Sequence, residues 1–265
     1  MTDNHYFSLL ESVKTIAEEA GDRIMAIYGT EFNVDTKEDK SPLTEADLAA
    51  HHHIIEELAK IASYPIISEE SSDIPFAERG KWETYWLVDP LDGTKEFIKR
   101  NGDFTVNIAL IHQHQPVLGV VYVPVKRESY YAVEGRGAFK QTGGQAPQSI
   151  SVKKQFSEDL VVAGSSSHVT EELKKYLDKL PQHELISIGS SLKLCLVAEG
   201  TADLYPRIGL TSEWDTGAAQ CVVEQAGGLV TDLQGKKLQY NTKESFLNPF
   251  FLVFGNTSYD WTQYA

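Results

Sequence analysis

Apolar residues recur at intervals of three and four near the start of the chain: Phe7, Leu10, Val13, Ile16, Ala17, Ala20, Ile24 and Ile27. That spacing places them on one face of an amphipathic helix, which ends near Gly29. The polar stretch 30–41 reads as a loop. Thr44 is a suitable N-cap for a second helix that runs to about Ala62, with Leu48, Ile54, Ile55, Leu58 and Ile61 on its apolar side. After residue 63 the apolar runs shorten. Stretches 64–68 and 85–89 are brief and lead into acidic residues. Stretches 104–112, 117–124 and 129–133 read as strands of a meander, with turns at 113–116 and 124–128. Gly135-Arg136-Gly137 tightens another turn; it lacks the third glycine and following helix of a dinucleotide fingerprint.

Residues 140–158 are polar and contain glycines, and they mark an expected boundary between two subdomains, 1–145 and 146–265. Beyond them helices and strands alternate: strand 160–163, helix 170–179, strand 184–187, helix 190–199, strand 202–205, helix 215–226, then strands 228–231 and 250–254. Alternation of this kind predicts an α/β layer architecture, behind an N-terminal part that is α+β with an antiparallel sheet. No internal repeat and no low-complexity tract interrupts it.

Composition narrows the chemistry. The chain has 265 residues, 42% hydrophobic and 23% charged, as in ordinary globular proteins. Its 24 Lys and Arg against 38 Asp and Glu give a formal charge of −14. Such a surface repels nucleic acid, whose affinity for proteins comes largely from neutralised phosphates. A small phosphorylated ligand is repelled too, unless divalent cations or placed Lys and Arg correct the local field. The two cysteines, Cys195 and Cys221, form no CxxC and sit in apolar, helix-like context, so both read as reduced core residues. Residues 1–11 lack the apolar stretch of a signal peptide, and no apolar run reaches the roughly 18 residues of a membrane helix. The cytoplasm is the simplest home, with a peripheral place at an inner membrane left open. His51-His52-His53 cannot converge on one ion, because consecutive helical residues point about 100° apart; all three read as partly exposed.

Four acid-bearing segments each stand at the end of a predicted element. In Trp86-Leu87-Val88-Asp89-Pro90-Leu91-Asp92-Gly93-Thr94, a buried strand delivers Asp89, Pro90 bends the chain and Gly93 permits a tight turn. Asp89, Asp92 and the Leu91 carbonyl are then the hard oxygen donors that Mg²⁺ prefers. The plain alternative is an Asp-Pro, Asp-Gly turn. Ser68-Glu69-Glu70-Ser71 is either part of the same cluster or solvated loop charge. Asp215, in Trp214-Asp215-Thr216-Gly217, is either a ligand or a helix N-cap. In Thr44-Glu45-Ala46-Asp47, Asp47 is either functional or the acid of a capping box. Together the four suit a multi-metal carboxylate site that activates water for in-line displacement at phosphorus.

The order and spacing of Glu69-Glu70, Asp89-Pro90-Leu91-Asp92-Gly93-Thr94 and Trp214-Asp215 resemble the signature segments of the inositol monophosphatase-like superfamily, across nearly the whole chain. The run continuing through Lys95-Glu96-Phe97-Ile98-Lys99-Arg100-Asn101-Gly102 is most similar to its bacterial 3′(2′),5′-bisphosphate nucleotidases. So are Gly189-Ser190-Ser191-Leu192-Lys193, Ala198-Glu199-Gly200 and Leu204-Tyr205-Pro206-Arg207. The resemblance implies a layered α-β-α-β-α sandwich and hydrolysis of adenosine 3′,5′-bisphosphate to AMP and phosphate, with two or three Mg²⁺ ions. It implies one ion on Glu69, Asp89 and the Leu91 carbonyl, and a second on Asp89, Asp92 and Asp215. Thr94, paired with Asp47, orients the attacking water, and Glu70 stands where the family holds a metal-bound water. Backbone N–H groups of Gly93 and Thr94 meet the phosphate. Ser190, Lys193 and Arg207 match positions that hold the nucleotide's other phosphate, and His168 is a candidate nucleotide contact, with surface roles as the plain alternatives. Sensitivity to lithium and a role in sulfate assimilation follow from the same resemblance. Two other readings stay open: a phosphatase of inositol monophosphate or a sugar bisphosphate, and a non-catalytic nucleotide-binding regulator. Lys95-Glu96 and the 190–207 segment speak against the first, and acids at every expected metal position speak against the second.

Overall fold

The computed structural model describes residues 3–31, 34–36, 42–155, 159–164, 170–255 and 258–265. Helix α1 (Asp3–Tyr28) is followed by a short antiparallel pair, β1 (Val34–Thr36) and β2 (Pro42–Thr44), and then by α2 (Glu45–Ile61). Next come β3 (Ile66–Ser68), a one-turn helix α3 (Phe76–Arg79), β4 (Thr84–Asp92), α4 (Thr94–Ile98), β5 (Thr105–His112), β6 (Gln115–Val123), β7 (Glu128–Val133), β8 (Ala138–Thr142) and β9 (Gln148–Ile150). Strands β3 to β9 form one sheet in sequence order, antiparallel except for the parallel pair β3 and β4. The rest of the chain is β10 (Leu160–Gly164), α5 (Glu171–Lys179), β11 (His183–Ser187), α6 (Leu192–Ala198), β12 (Leu204–Arg207), α7 (Gly217–Gln225), β13 (Leu229–Asp232) and β14 (Phe251–Phe254). Its five strands pair in the order β11-β10-β12-β14-β13.

Alternation along the strands stacks these elements into layers. In β4, Trp86 and Val88 face α1 and α2, where they join Val13, Ala17, Ile54 and Leu58. Tyr85 and Leu87 face the other way, into a core shared with Leu194, Val197, Ala219, Val222 and Val253. Helices α6 and α7 therefore lie between the two sheets. A third core packs Leu173 and Tyr176 of α5 against Val162, Leu204 and Leu252 on the outer face of the second sheet. The result is the expected α-β-α-β-α sandwich of mixed α/β class. Cys195 and Cys221 are both buried free thiols in the middle layer.

The departures from the sequence reading have local causes. Residues Gln113 and His114 both have positive φ (47° and 66°), the backbone of a two-residue hairpin turn whose twist matches its strands. Pro116 consequently lies within β6, at a register shift opposite Ile111, and not in the turn. The polar stretch after 140 continues β8 and then forms the edge strand β9; an edge exposed to solvent carries no apolar alternation to read. His51 and His53 are buried and only His52 is exposed. Helix α2 is covered on two sides: His51 Nδ1 is 2.9 Å from Ser68 Oγ of β3, and His53 Nε2 is 2.9 Å from the Glu19 carboxylate of α1, without hydrogen-bond alignment. Among the described residues, no helix is long and apolar enough to cross a membrane.

Helix α7 approaches β6 closely only because residue 119 is glycine. A Cβ there would overlap the Ala218 carbonyl and lie 2.9 Å from Cys221 Cβ. Both belong to packed elements that cannot step aside. Gly119→Ala is expected to destabilise the protein by about 1–3 kcal/mol, the usual cost of overpacking. It should lower the urea midpoint without changing the m-value. An unchanged midpoint would show that the layers are less tightly set than this contact requires.

Candidate active site

One extra residue in β4 sets the acids in place. Asp89 pairs with Asn107 and Asp92 pairs with Thr105, so three steps along β4 match two along β5. In a regular strand, residues three apart point to opposite faces. The bulge at Pro90-Leu91 restores the parity, and both aspartates turn toward the layer of α6 and α7. Leu91 points the other way, into the core beneath α1 and α2. The parallel register Ser68↔Val88 then places Glu69, the next residue of its chain, beside Asp89. Asp215 comes from the turn before α7. Ser212 N donates to Asp215 Oδ2 (3.0 Å), Asn248 Nδ2 donates to Ser212 O (2.8 Å), and Asn241 N donates to the neighbouring Glu213 carboxylate (2.8 Å).

Glu69, Asp89, Asp92 and Asp215 line one cavity of about 250 Å³. Leu91, Gly93, Thr94, Ser190, Lys193 and Arg207 line it too. Gly93 has φ +92°, which only glycine adopts without strain, and a Cβ there would meet Asp103 O at 3.0 Å. Glu70 sits in the same turn as Glu69 but outside this lining. His168 lies outside the described residues.

Asp47 forms the capping box weighed for it and also accepts a hydrogen bond from Thr94. Its Oδ2 accepts from Thr44 N (2.8 Å) and from the Thr44 hydroxyl, completing a capping box at the start of α2. Its Oδ1 accepts from Thr94 Oγ1 at 3.2 Å, and Leu91 O is a second acceptor for that hydroxyl at 3.3 Å. The cap buries Asp47 and fixes its rotamer, so the cavity-lining Thr94 hydroxyl is held from behind.

The cationic side of the cavity is also built. Lys193 is only 6% exposed, so solvation at the surface is not its role. Its ammonium donates to Ser190 O (2.7 Å) and lies 3.4 Å from Ile188 O. Burial pushes its pKa down to about 8, against the pull of Asp92 and Asp215 and helped by the charge of Arg207. Arg207 donates from Nε to Thr211 Oγ1 (2.5 Å) and from Nη2 to Leu210 O (2.6 Å). Loop residues thus hold both cations.

Burial raises the pKa of Asp215 well above the usual carboxylate range, and the negative charges of Asp92 and Glu69 add to it. Burial raises Asp92 as well, opposed mainly by Lys193 and by the Ser191 backbone N–H. An all-oxygen set of acids that resist ionising beside one another fits a hard divalent cation, which would neutralise them. They converge on one cavity and not on one point: among the described residues, no three form a ready-made chelate. Sequence reasoning missed Thr105, Asn107 and Ser191, which are buried beside Asp92. The signal was present in Thr105-Val106-Asn107, where polar residues alternate into a strand that is otherwise apolar on both faces.

The profile of the inositol monophosphatase family matches residues 8–252, and this chain belongs to that family. It is 52% identical over 249 residues to the 3′(2′),5′-bisphosphate nucleotidase CysQ of Salmonella typhimurium, covering 92% of this chain and 99% of that protein. The CysQ of Haemophilus influenzae is 38% identical over 255 residues, covering 96% of this chain and 95% of that protein. Among solved structures, CysQ from Bacteroides thetaiotaomicron superposes with a TM-score of 0.81 at 42% identity, covering 93% of this chain and 96% of that one. An IMPase from Thermotoga maritima gives 0.77 at 27% identity, covering 95% and 94%.

The raised pKa of Asp215 has a sign that can be checked. A folded carboxyl that keeps its proton when the unfolded chain has lost it adds stability at low pH. That contribution is lost as pH rises from about 4 through the folded-state value, and the loss persists above it. Asp215→Asn is therefore expected to be more stable than the wild type at pH 8 in chelator. The gain should shrink toward zero near pH 4. Thermal unfolding at the two pH values measures it, and a variant less stable at pH 8 would contradict the charge-crowding account.

Proposed function

We propose that this chain is a magnesium-dependent 3′(2′),5′-bisphosphate nucleotidase that hydrolyses adenosine 3′,5′-bisphosphate to AMP and phosphate. The observation that carries the reading is that Glu69, Asp89, Asp92 and Asp215 line the same cavity as the loop-anchored cations Lys193 and Arg207. A phosphatase of monophosphates needs the acids; a second cationic wall suits a substrate with a second phosphate. The nucleotidase names of the relatives agree with it. In this reading the parts 1–145 and 146–265 each supply one side of the site, and the enzyme clears a by-product of sulfate assimilation.

Glu69, Asp89 and the Leu91 carbonyl would hold one ion, and Asp89, Asp92 and Asp215 a second. Bound magnesium supplies positive charge against the phosphoryl oxygens and makes water a better nucleophile at neutral pH. Thr94 Oγ1 directs its proton to Asp47 and its lone pairs into the cavity, where they align the attacking water. As the water oxygen bonds to phosphorus and gives up a proton, the phosphorus–ribose oxygen bond breaks and the leaving oxygen takes up a proton from solvent, so the proton count balances. Backbone N–H groups of Gly93 and Thr94 receive the phosphoryl oxygens. Ser190, Lys193 and Arg207 receive the phosphate that stays on the nucleotide.

Phosphate release from adenosine 3′,5′-bisphosphate should require Mg²⁺, fall in lithium chloride relative to sodium chloride at equal ionic strength, and vanish in a folded Asp89→Asn protein. Substantial turnover by Asp89→Asn would refute the metal assignment. Magnesium-dependent turnover of inositol monophosphate alone would move the chain to another substrate class within its family.

Lys193→Ala and Arg207→Ala should each raise KM for the bisphosphate about ten- to hundredfold, the value of one charge-assisted hydrogen bond. At saturating Mg²⁺, turnover of a nucleoside 3′-monophosphate should change much less, because it lacks the second phosphate. Equal losses on both substrates would make these residues structural and remove the specificity claim.

A further inference from the structure

Asp92 is tied to both halves of the chain, by a backbone donor from one and a side-chain donor from the other. Ser191 N donates to its Oδ2 at 2.5 Å, and Asn107 Nδ2 donates to the same oxygen at 3.3 Å. The amide of Asn107 presents its N–H₂ to Asp92 and its oxygen to the opposite side. There Ser191 Oγ donates to Asn107 Oδ1 at 2.8 Å. Thr105 Oγ1 stands 2.8 Å from Ser191 Oγ and 3.1 Å from Asn107 Oδ1. Ser191 thus donates to Asn107 and Asn107 to Asp92, with the Thr105 hydroxyl within reach of both Ser191 and Asn107. The chain of bonds is sealed from water, with Thr105, Asn107 and Ser191 exposed by 0%, 1% and 2%.

The loop at the other end of this chain is under constraint. Ser190 has φ +49°, a left-handed conformation that costs an L-residue of this type about 1 kcal/mol or more. Lys193, bonded to Ser190 O, and Asp92, bonded to Ser191 N, hold that conformation from its two sides. Gly189 packs so closely on the 96–103 segment that a Cβ would lie 2.7 Å from both Asp103 O and Glu96 Cγ. The cationic loop and the Asp92 carboxylate are therefore each braced by the other.

We propose that Asn107 and Ser191 are positioning residues for the divalent-cation site: they fix the Asp92 carboxylate by its Oδ2, leaving its Oδ1 to the cavity. This rests on the reading of the site as a metal-dependent phosphatase. Asn107 lies outside the cavity lining, and Ser191 meets the cavity with only 2% of its surface exposed. Partners that orient a ligand in this way are typically worth 10–100-fold in metal affinity. A residue that served only the fold would lower stability and leave the cation affinity of the folded fraction unchanged.

The test is Mg²⁺ binding by titration calorimetry on the substrate-free protein, alongside KM and kcat across a magnesium series. Asn107→Ala is expected to weaken Mg²⁺ about 10–100-fold. Its KM for adenosine 3′,5′-bisphosphate at saturating Mg²⁺ should stay near the wild-type value, and added Mg²⁺ should restore most of kcat. Ser191→Ala removes one hydroxyl and keeps the backbone donor; it should weaken Mg²⁺ less, by up to about tenfold. It carries the test if Asn107→Ala does not fold. Wild-type Mg²⁺ affinity in a folded Ser191→Ala and Asn107→Ala pair would overturn the proposal, as would a rise in KM that magnesium does not relieve. A wild-type protein that binds Mg²⁺ but does not hydrolyse the nucleotide would instead sink the substrate assignment and leave the positioning result standing. A wild-type protein that binds no Mg²⁺ would end both.

Discussion

Carboxylates gathered away from water repel one another, and much of this structure serves to hold them together nonetheless. Desolvation and mutual charge both favour the neutral forms of Asp92 and Asp215. Against that, donors are fixed on individual oxygens: Leu91 N on Asp89 Oδ1, Ser191 N on Asp92 Oδ2 and Ser212 N on Asp215 Oδ2. Each bond is local to a turn or crosses between elements, so the acids stand only where the whole fold is formed. A site that is costly to the empty protein is one that favours any cation able to neutralise it, which is the usual relation between stability and function at such sites.

The middle layer is what makes one cavity out of two chemistries. β4 and β3 deliver their acids from the first sheet, while α6 and α7 present their N-terminal turns from between the sheets. The close approach of Gly119 to α7 and of Gly189 to the 96–103 segment sets how far apart these parts stand. Lys193 sits inside that layer, held by loop carbonyls, and its charge opposes the repulsion around Asp92. The same ammonium therefore stabilises the acid cluster and offers itself to an anion. Asp47 shows the same economy at the other side, ending a helix with one oxygen and holding Thr94 with the other.

Much of this was legible in the chain. Helices α1 and α2 announce themselves by a three-and-four spacing with a cap, and the buried strands by short apolar runs, because burial of one face or two imposes those periods on any sequence. Pro90 marked the bend between the two aspartates and Gly93 the turn after them. The edge strand β9, the shortness of the turn read at 113–116 and the burial of His51 and His53 were not legible. An edge has no apolar period, a turn with positive φ at Gln and His has no glycine to signal it, and the cover over a helix flank comes from a distant element.

The sequence by itself determined the residue types of the site and their local geometry: acids at the ends of strands and the starts of helices, a capping box before α2, Ser190 and Lys193 at the start of a helix, and Arg207 at the end of a strand. Tertiary structure alone decided which of these meet. That Asp89 and Asp92 share a face depends on a register shift against β5. That Glu69 stands beside Asp89 depends on the parallel pairing of β3. That Asp92 answers to Ser191 and Asn107 depends on a loop nearly a hundred residues away closing over it. Pairing and closure are set by contacts between distant segments, and no periodicity within a segment carries them.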